Sequence, residues 1–281
     1  MNTPNDAITL EYESALNAWR QSLEDALRQP DGWLSLIGLH WLQEGENSVG
    51  SASDAVVRID AEGIPERLGV ITLAAGVLTL RVTDGMPVMI NDERITEAVL
   101  YPGTETEDPT FVRAGSVTFF ILEREAGYAV RVSDSRSPAI ADFEGRAWYP
   151  PDPAWRFSVP FSPLEQRQIV QVETSAGFMM SMESLGCVEF EHHGQAHRLI
   201  AFDSGEPSSL WFIFNDQTNG RETYGAGRFL KVGLGDDGRV DLDFNRAYHP
   251  PCAFTDFATC PLAPPENRLP FPVTAGERNR R

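Results

Sequence analysis

The residues from Asp243 to Cys252, followed further on by Cys260, include the side chains of this sequence best suited to chemistry. A cysteine becomes a nucleophile when a neighbouring base or cation favours its thiolate form. Arg246 and His249 lie close to Cys252 in the sequence and could have this effect. One hypothesis is therefore a hydrolase-type enzyme in which Cys252 is the nucleophile or Asp243 is the general base.

Two other interpretations of the cysteine pair remain open. Cysteine is among the residues most often buried, so Cys252 and Cys260 could be inert thiols in the core of a loop. They could also be metal ligands: zinc sites usually have four ligands, often in a Cys-x2-4-Cys arrangement that is absent here, so His249 and the His192–His193 pair would have to complete the set through the fold. We predict neither a metal site nor a cofactor.

A second set of residues suits ligand binding. The end of a strand is a rigid mount for an amide and a guanidinium, and glycines beside Tyr224 and Arg228 allow close approach of a ligand. Arginine matches the planar shape of a carboxylate or phosphate, so we expect a polar or anionic ligand. The predicted pocket lies among Tyr224, Arg228, Asp243, Asn245, Arg246 and Asn267.

A structural interpretation of the same residues is also open. The segment from 243 to 267 is rich in proline, which removes main-chain donors and leaves carbonyl groups in need of partners. Asp243 and Arg246 could form a buried ion pair, and the asparagine side chains could pin the loop through bonds to the main chain.

Elements on either side of these residues are mostly β. Residues 9–28 have an apolar stripe at helical spacing, formed by Tyr12, Leu16, Trp19, Leu23 and Leu27, and we expect it to dock on the sheet that follows. Short alternating runs separated by turn residues then predict many strands. We predict a helix in 1–32, a first β domain in 33–140, a structured connector in 141–163 and a second β domain in 164–281.

The first β domain has the strand and turn spacing of a sandwich, and its order is loosely similar to that of a forkhead-associated domain. The second is predicted to be an antiparallel β region closed by the Pro/Cys-rich irregular segment, which carries the candidate site. The fold class is therefore mainly β, with an N-terminal helix.

Composition narrows the choice of partners. The formal net charge of -18 would repel phosphate backbones and anionic lipids, so we predict neither nucleic acid nor membrane as a partner. The N-terminal residues lack the pattern of a secretory signal, and three cysteines form no even disulfide framework. We expect a cytoplasmic protein, and the sequence makes no prediction of its oligomeric state.

Several segments together resemble an uncharacterised family known as domain of unknown function 1684. The matching segments are residues 33–41, 44–50, 143–148, 215–229 and 243–277. The resemblance implies no activity. Where the family usually has asparagine before the double proline, this chain has His249, so a metal or acid-base role of His249 would not be shared by the family.

The leading functional prediction is a small-molecule-binding β protein with a polar or anionic ligand. A hydrolase that uses the same pocket is one alternative, and a protein-interaction module that uses the first β region is the other.

Overall fold

The structure is a computed structural model that describes residues 9–103 and 108–280. The fold is mainly β, with an N-terminal helix and antiparallel sheets, as the sequence predicted. The described chain divides into two compact units. One comprises residues 25–143 and is called the first β region here; the other comprises the described residues up to Glu24 together with those from Glu144 onward and is called the second β region.

Helix α1 spans Leu10–Leu27, within one residue of the predicted bounds at each end. At its start the Thr9 hydroxyl accepts a hydrogen bond from the Tyr12 amide at 3.1 Å, which satisfies one of the amides that a helix leaves without a partner. At its end the chain turns back so closely that a Cβ on Gly32 would lie 2.5 Å from the Ala26 carbonyl oxygen.

The first β region is a sandwich of two sheets among its described residues. The six-stranded sheet has the order β1-β11-β10-β9-β6-β7 and the five-stranded sheet has the order β3-β2-β4-β5-β8. The strands are β1 (Leu36–Trp41), β2 (Gly45–Gly50), β3 (Val57–Arg58), β4 (Gly69–Ala74), β5 (Val77–Val82), β6 (Val88–Ile90), β7 (Glu93–Arg94), β8 (Glu97–Leu100), β9 (Val112–Ala114), β10 (Val117–Arg124) and β11 (Gly127–Asp134), and a short helix α2 (Pro138–Asp142) follows.

Alternate residues of these strands fill the core between the two sheets. On β10, Val117, Phe119 and Ile121 are fully buried in that core. Since side chains alternate across a strand, Thr118 and Phe120 lie on the opposite, outer face of the six-stranded sheet. This outer face carries the cavity described below.

The second β region has a six-stranded sheet of order β17-β16-β15-β14-β13-β18 and a two-stranded sheet β12-β19 among its described residues. Its strands are β12 (Ala147–Trp148), β13 (Arg156–Glu173), β14 (Met179–His192), β15 (Gln195–Asp203), β16 (Ser209–Phe214), β17 (Arg228–Gly233), β18 (Arg239–Asp243) and β19 (Glu277–Arg278).

The Pro/Cys-rich segment after β18 closes the core of this region, as predicted. Phe244, Ala247, Leu269, Val273 and Ala275 of this segment are buried in one cluster with residues of the sheet. Regular structure within the segment is limited to short 3-10 turns such as Phe244–Arg246 and Pro265–Asn267. Main-chain bonds to other parts of this region, such as that of the Leu269 amide with the Asn215 carbonyl, hold the segment in place together with bonds from side chains.

The two units group the chain differently from the four predicted segments. The described helix residues up to Glu24 and the predicted connector from residue 144 fall in the same unit as the second β sheet. The described contacts of the helical stripe are also with that unit, because the Tyr12 hydroxyl binds Asp243 and the Trp19 ring lies 5.8 Å from that of Trp148. Within residues 9–103 and 108–280, no helix has the length and apolar content to cross a membrane.

Candidate functional site

Asp243 ends β18 and is the centre of one polar cluster. Its carboxylate is buried and accepts the Tyr12 hydroxyl at 2.8 Å, and the Asn245 side-chain amide at 2.9 Å. The Nε atoms of Arg156 and Arg246 each lie 3.8 Å from the same carboxylate. Burial raises the pKa of Asp243, although the hydrogen bonds from Tyr12 and Asn245 oppose this shift. These contacts tie helix α1 to the end of the strand.

Asn245 and Arg246 belong to the same cluster but differ in exposure. Asn245 is fully buried, and its side chain also accepts the Asp152 amide and donates to the Asp152 carbonyl, both at 2.9 Å. The Arg246 side chain is 35% exposed, and its guanidinium lies 5.5 Å from the centre of the Trp19 ring. Of the two, Arg246 is the one that a ligand could reach directly.

Arg228 is fully buried at the start of β17. One terminal nitrogen binds Asp216, also with its side chain fully buried, at 2.7 Å, and donates to the Val273 carbonyl at 2.8 Å. The other terminal nitrogen donates to the carbonyls of Ala275 and Glu277. The sequence predicted a ligand contact here, whereas these bonds join β17 to the Pro/Cys-rich segment after β18, which is called the closing segment here. A ligand role of Arg228 stays a prediction.

Asn267 makes a third set of internal contacts. Its side chain accepts the Ile200 amide at 2.7 Å and donates to the carbonyls of Ile200 and Ile213 at 3.0 and 2.9 Å. Asn267 is fully buried, and its side chain connects the closing segment to the main chain of β15 and β16. Its predicted role in ligand binding is likewise untested by these contacts.

Tyr224 and Cys252 are adjacent, because the Tyr224 hydroxyl donates to the Cys252 carbonyl at 2.7 Å. The Cys252 amide donates to the sulfur of Cys260 at 3.3 Å. A hydrogen bond with the Cys260 thiol lowers the pKa of Cys252 to about 7; burial opposes this, and the hydroxyls of Tyr224 and Ser175 add to the lowering. Both residues are partly exposed. Sequence reasoning missed Ser175.

His249 and Glu277 link the tyrosine to the buried arginines. The Tyr224 amide donates to Nε2 of His249 at 3.2 Å, and the other imidazole nitrogen lies 3.5 Å from the Glu277 carboxylate. Burial lowers the pKa of His249 to about 3, and Arg228 and Arg146 add to the shift. Burial raises the pKa of Glu277 to about 7, although its ion pair with Arg146 opposes this.

The described bonds therefore group the predicted site residues into three clusters. They are the Asp243 cluster with Asn245 and Arg246, the network that runs from Cys252 through Tyr224 to Arg228, and the main-chain contacts of Asn267. No group of three or more His, Cys, Asp or Glu side chains arranged for a metal occurs in the part of the chain that the structure describes.

A cavity of about 790 Å³ lies on the outer face of the six-stranded sheet of the first β region. The strand register forms its floor, because Met89 pairs with Arg113, Arg113 with Thr118, Thr118 with Ser133, and Ser133 with Leu36. Residues directly opposite in neighbouring strands share a face of the sheet, so this row crosses five strands on one surface.

Aromatic rings and two arginines line this cavity. The Phe111 and Phe120 rings are 5.2 Å apart in an edge-to-face arrangement, and the Arg131 guanidinium lies 5.1 Å from the centre of the Trp33 ring. Arg113 is more than half exposed and lies 3.1 Å from Asp92. The cavity thus combines apolar walls with cationic groups.

Serine hydroxyls add to the polar groups of the cavity. Ser116 lines it, and its buried hydroxyl oxygen has no hydrogen-bond partner among the described residues. Ser133 also lines it and donates to the Thr118 carbonyl at 3.1 Å. Sequence reasoning missed these residues, although Arg113 between Val112 and Ala114, and Arg131 between Val130 and Val132, interrupt apolar strand patterns.

Comparison with known proteins identifies a family without an established activity. Residues 141–278 match the family described as "Protein of unknown function (DUF1684)". A solution structure of an uncharacterised protein of Haloarcula marismortui is similar at 34% identity, over 50% of this chain and 78% of that chain, with a TM-score of 0.42. The chain belongs to the DUF1684 family, as its closing motifs predicted.

Two structures of forkhead-associated (FHA) domains are more distantly similar. One is the FhaA FHA domain in complex with the intracellular domain of another protein, at 21% identity over 33% of this chain and 85% of that chain, with a TM-score of 0.24. The other comes from a study of phosphothreonine-dependent FHA domain interactions, at 22% identity over 33% and 79%, also with a TM-score of 0.24. No curated protein matches the chain.

Proposed function

We propose that the protein binds a small organic anion with an apolar body in the cavity of the first β region. The observation that carries this proposal is the cavity itself, with its volume of about 790 Å³, aromatic walls and two arginines. Ligand sites in proteins are typically hollows of roughly 300–1,000 Å³ with apolar walls and a few convergent polar groups. A carboxylate ligand fits this combination because the guanidinium fork matches carboxylate geometry.

Charge within the cavity supports an anion rather than a cation. Arg113 and Arg131 line it together with Asp31, while Asp92 balances Arg113 from outside the lining. An exposed ion pair such as Arg113–Asp92 contributes little stability, so a ligand carboxylate could replace Asp92 as the partner at small cost. The Ser116 hydroxyl is a further polar group that a ligand could bind.

The experiment is a thermal-shift and calorimetric screen of carboxylates with aromatic or aliphatic bodies, followed by binding to Arg113→Ala. We expect affinity to fall roughly tenfold or more in this variant, because hydrogen bonds to charged groups contribute about 1.5–3 kcal/mol. The matched control is Arg81→Ala, which removes the same charge from an exposed ion pair, with Glu97, on the other sheet. Equal affinity in Arg113→Ala and Arg81→Ala would remove the cavity from the proposal.

A protein-interaction role is a second candidate, favoured by exposed apolar side chains nearby. Val99, Tyr101 and Phe111 are 48%, 68% and 50% exposed and line a neighbouring hollow of about 660 Å³. The two hollows share Asn91 and Phe111, so an extended peptide could occupy both. Weaker binding of a selected peptide to Tyr101→Ser, with unchanged binding of carboxylates, would favour this second role.

A further inference from the structure

The thiols of Cys252 and Cys260 form a local arrangement that ligand binding in the first β region does not use. The Cys252 amide donates to the Cys260 sulfur at 3.3 Å, so the Cys260 side chain meets the main chain of Cys252 although eight positions separate them in the sequence. Neither cysteine is in a disulfide. A disulfide needs Cα atoms within about 7 Å of each other, and a direct contact between the main chain of one cysteine and the sulfur of the other brings the pair near that range.

Neighbouring residues hold both cysteines in place. Ser175 accepts the Cys260 amide at 3.0 Å through its hydroxyl, and its own amide donates to the Cys260 carbonyl at 2.7 Å. The Tyr224 hydroxyl fixes the Cys252 carbonyl at 2.7 Å. Pro251, directly before Cys252, restricts the main chain there. The geometry of the pair is therefore defined by contacts on both sides.

The two cysteine residues differ in exposure. Cys252 is partly exposed, whereas only 5% of Cys260 is exposed. A small oxidant in solution therefore reaches Cys252 first. The lowered pKa of the Cys252 thiol adds reactivity, because thiolate rather than thiol is the nucleophile.

We propose that Cys252 and Cys260 are a peroxide-sensitive thiol pair that closes into a reversible disulfide. In the first step the Cys252 sulfur attacks one oxygen of hydrogen peroxide, the O–O bond breaks, and the hydroxide leaves as water with the thiol proton. Cys252 is then a sulfenic acid. In the second step the Cys260 sulfur attacks the Cys252 sulfur, and hydroxide leaves as water with the Cys260 proton. Two thiols and one peroxide thus give one disulfide and two water molecules.

Cys187 is an internal control for this proposal. It is buried within β14, where its cross-strand neighbours are Ile200 and Ser162 rather than another cysteine. Trypsin separates the two situations, because cleavage after Arg246 and Arg268 leaves Cys252 and Cys260 in one peptide, 247–268, while Cys187 lies in peptide 168–198.

The test is peroxide treatment of the folded protein, alkylation, digestion and mass spectrometry. We expect peptide 247–268 to lose two hydrogen atoms and to resist alkylation until a reductant is added, while Cys187 stays reduced. In Cys260→Ser, Cys252 should instead be captured by dimedone as a sulfenic acid. Cys187→Ser should still form the disulfide. A peptide 247–268 that takes up two alkyl groups after peroxide would overturn the proposal.

A second measurement addresses the role of the tyrosine hydroxyl. Before oxidation, alkylation of Cys252 at neutral pH should be faster than that of Cys187 by on the order of tenfold or more. In Tyr224→Phe the pH midpoint of Cys252 alkylation should rise, because a nearby hydroxyl that favours the thiolate is lost. Equal alkylation rates of Cys252 and Cys187 in the wild-type protein would contradict a reactive pair.

Discussion

Two arginine–aspartate pairs, one in each β region, differ in their surroundings. Arg228 and Asp216 of the second β region are both fully buried at 2.7 Å, and Arg228 also donates to three main-chain carbonyls. Arg113 and Asp92 of the first β region lie 3.1 Å apart, and both side chains are mostly exposed. The first pair has internal partners, whereas the second faces solvent beside a cavity.

Charge alone therefore does not identify a binding residue. A buried arginine whose terminal nitrogens already bind carboxylate and carbonyl oxygens contributes to stability, because removing it leaves an uncompensated charge. An exposed arginine beside an apolar cavity has donors that a ligand can share. The second β region uses its polar residues to hold an irregular segment in place, and the first leaves polar residues open on a sheet face.

The largest effect should come from breaking the buried pair. Arg228→Ala leaves Asp216 buried and without its cation, and removes the donor of bonds to Val273, Ala275 and Glu277. Removing one partner of a buried pair typically costs about 3–5 kcal/mol, so we expect a loss of this size in the free energy of unfolding. Urea denaturation followed by tryptophan fluorescence measures it.

Arg113→Ala is the matched control in this measurement. Exposed pairs contribute about 0–1 kcal/mol, so its unfolding free energy should stay close to that of the wild-type protein. If both variants lost the same stability, the distinction between a structural and an open arginine would be wrong.

A smaller loss should follow from removing the amide of Asn267. Asn267→Ala leaves the Ile200 amide and the carbonyls of Ile200 and Ile213 without their side-chain partner. An unsatisfied buried polar group costs about 1–3 kcal/mol, and water entering the space left behind would reduce the total, so we expect a loss of about 2 kcal/mol. Thermal denaturation measures it.

Asn279→Ala serves as the control for that substitution. The Asn279 side chain makes one long bond of 3.4 Å near the surface, to the Arg221 carbonyl. Its removal should change stability by less than about 0.5 kcal/mol. A melting temperature lowered equally in both variants would show that the three bonds of Asn267 contribute no more stability than the bond of Asn279.

Local patterns made much of the fold predictable. The helix was confirmed because its apolar spacing and its stop at Pro30–Gly32 are set by adjacent residues. The antiparallel sheets were confirmed because alternation and turn residues are also local signals. The sequence did not identify the partner of the helix, because the described contacts of the stripe, such as that of Tyr12 with Asp243, join residues far apart in sequence.

The cavity was missed for a related reason. Its floor combines Met89, Arg113, Thr118, Ser133 and Leu36 from five strands, and only the pairing register brings them together. A shift of one residue in any pairing would turn a member of the row toward the core. A single sequence does not determine that register, so Arg113 and Arg131 could not be assembled into a site from it.

The pH dependence of stability distinguishes two neighbouring groups in the second β region, His249 and Glu277. The folded-state pKa of His249 is lowered to about 3, so the unfolded chain binds this proton more strongly, and stability is lost as pH falls from about 6.5 toward 3. The folded-state pKa of Glu277 is raised to about 7, so stability is lost as pH rises from about 4.5 to 7. The two effects oppose each other between about pH 4.5 and 6.5.

Single substitutions should separate the two opposing slopes. In His249→Asn only the Glu277 effect remains. As pH falls from about 7 to 5.5, the free energy of unfolding of this variant should therefore change by about 1 kcal/mol in the stabilising direction relative to the change in the wild-type protein. Glu277→Gln leaves the His249 effect alone, and its stability should decrease by a similar amount over the same interval. Urea denaturation at each pH measures both. Opposite slopes require that unfolding releases a proton from Glu277 and adds one to His249. Parallel pH profiles in the two variants would therefore refute the opposition.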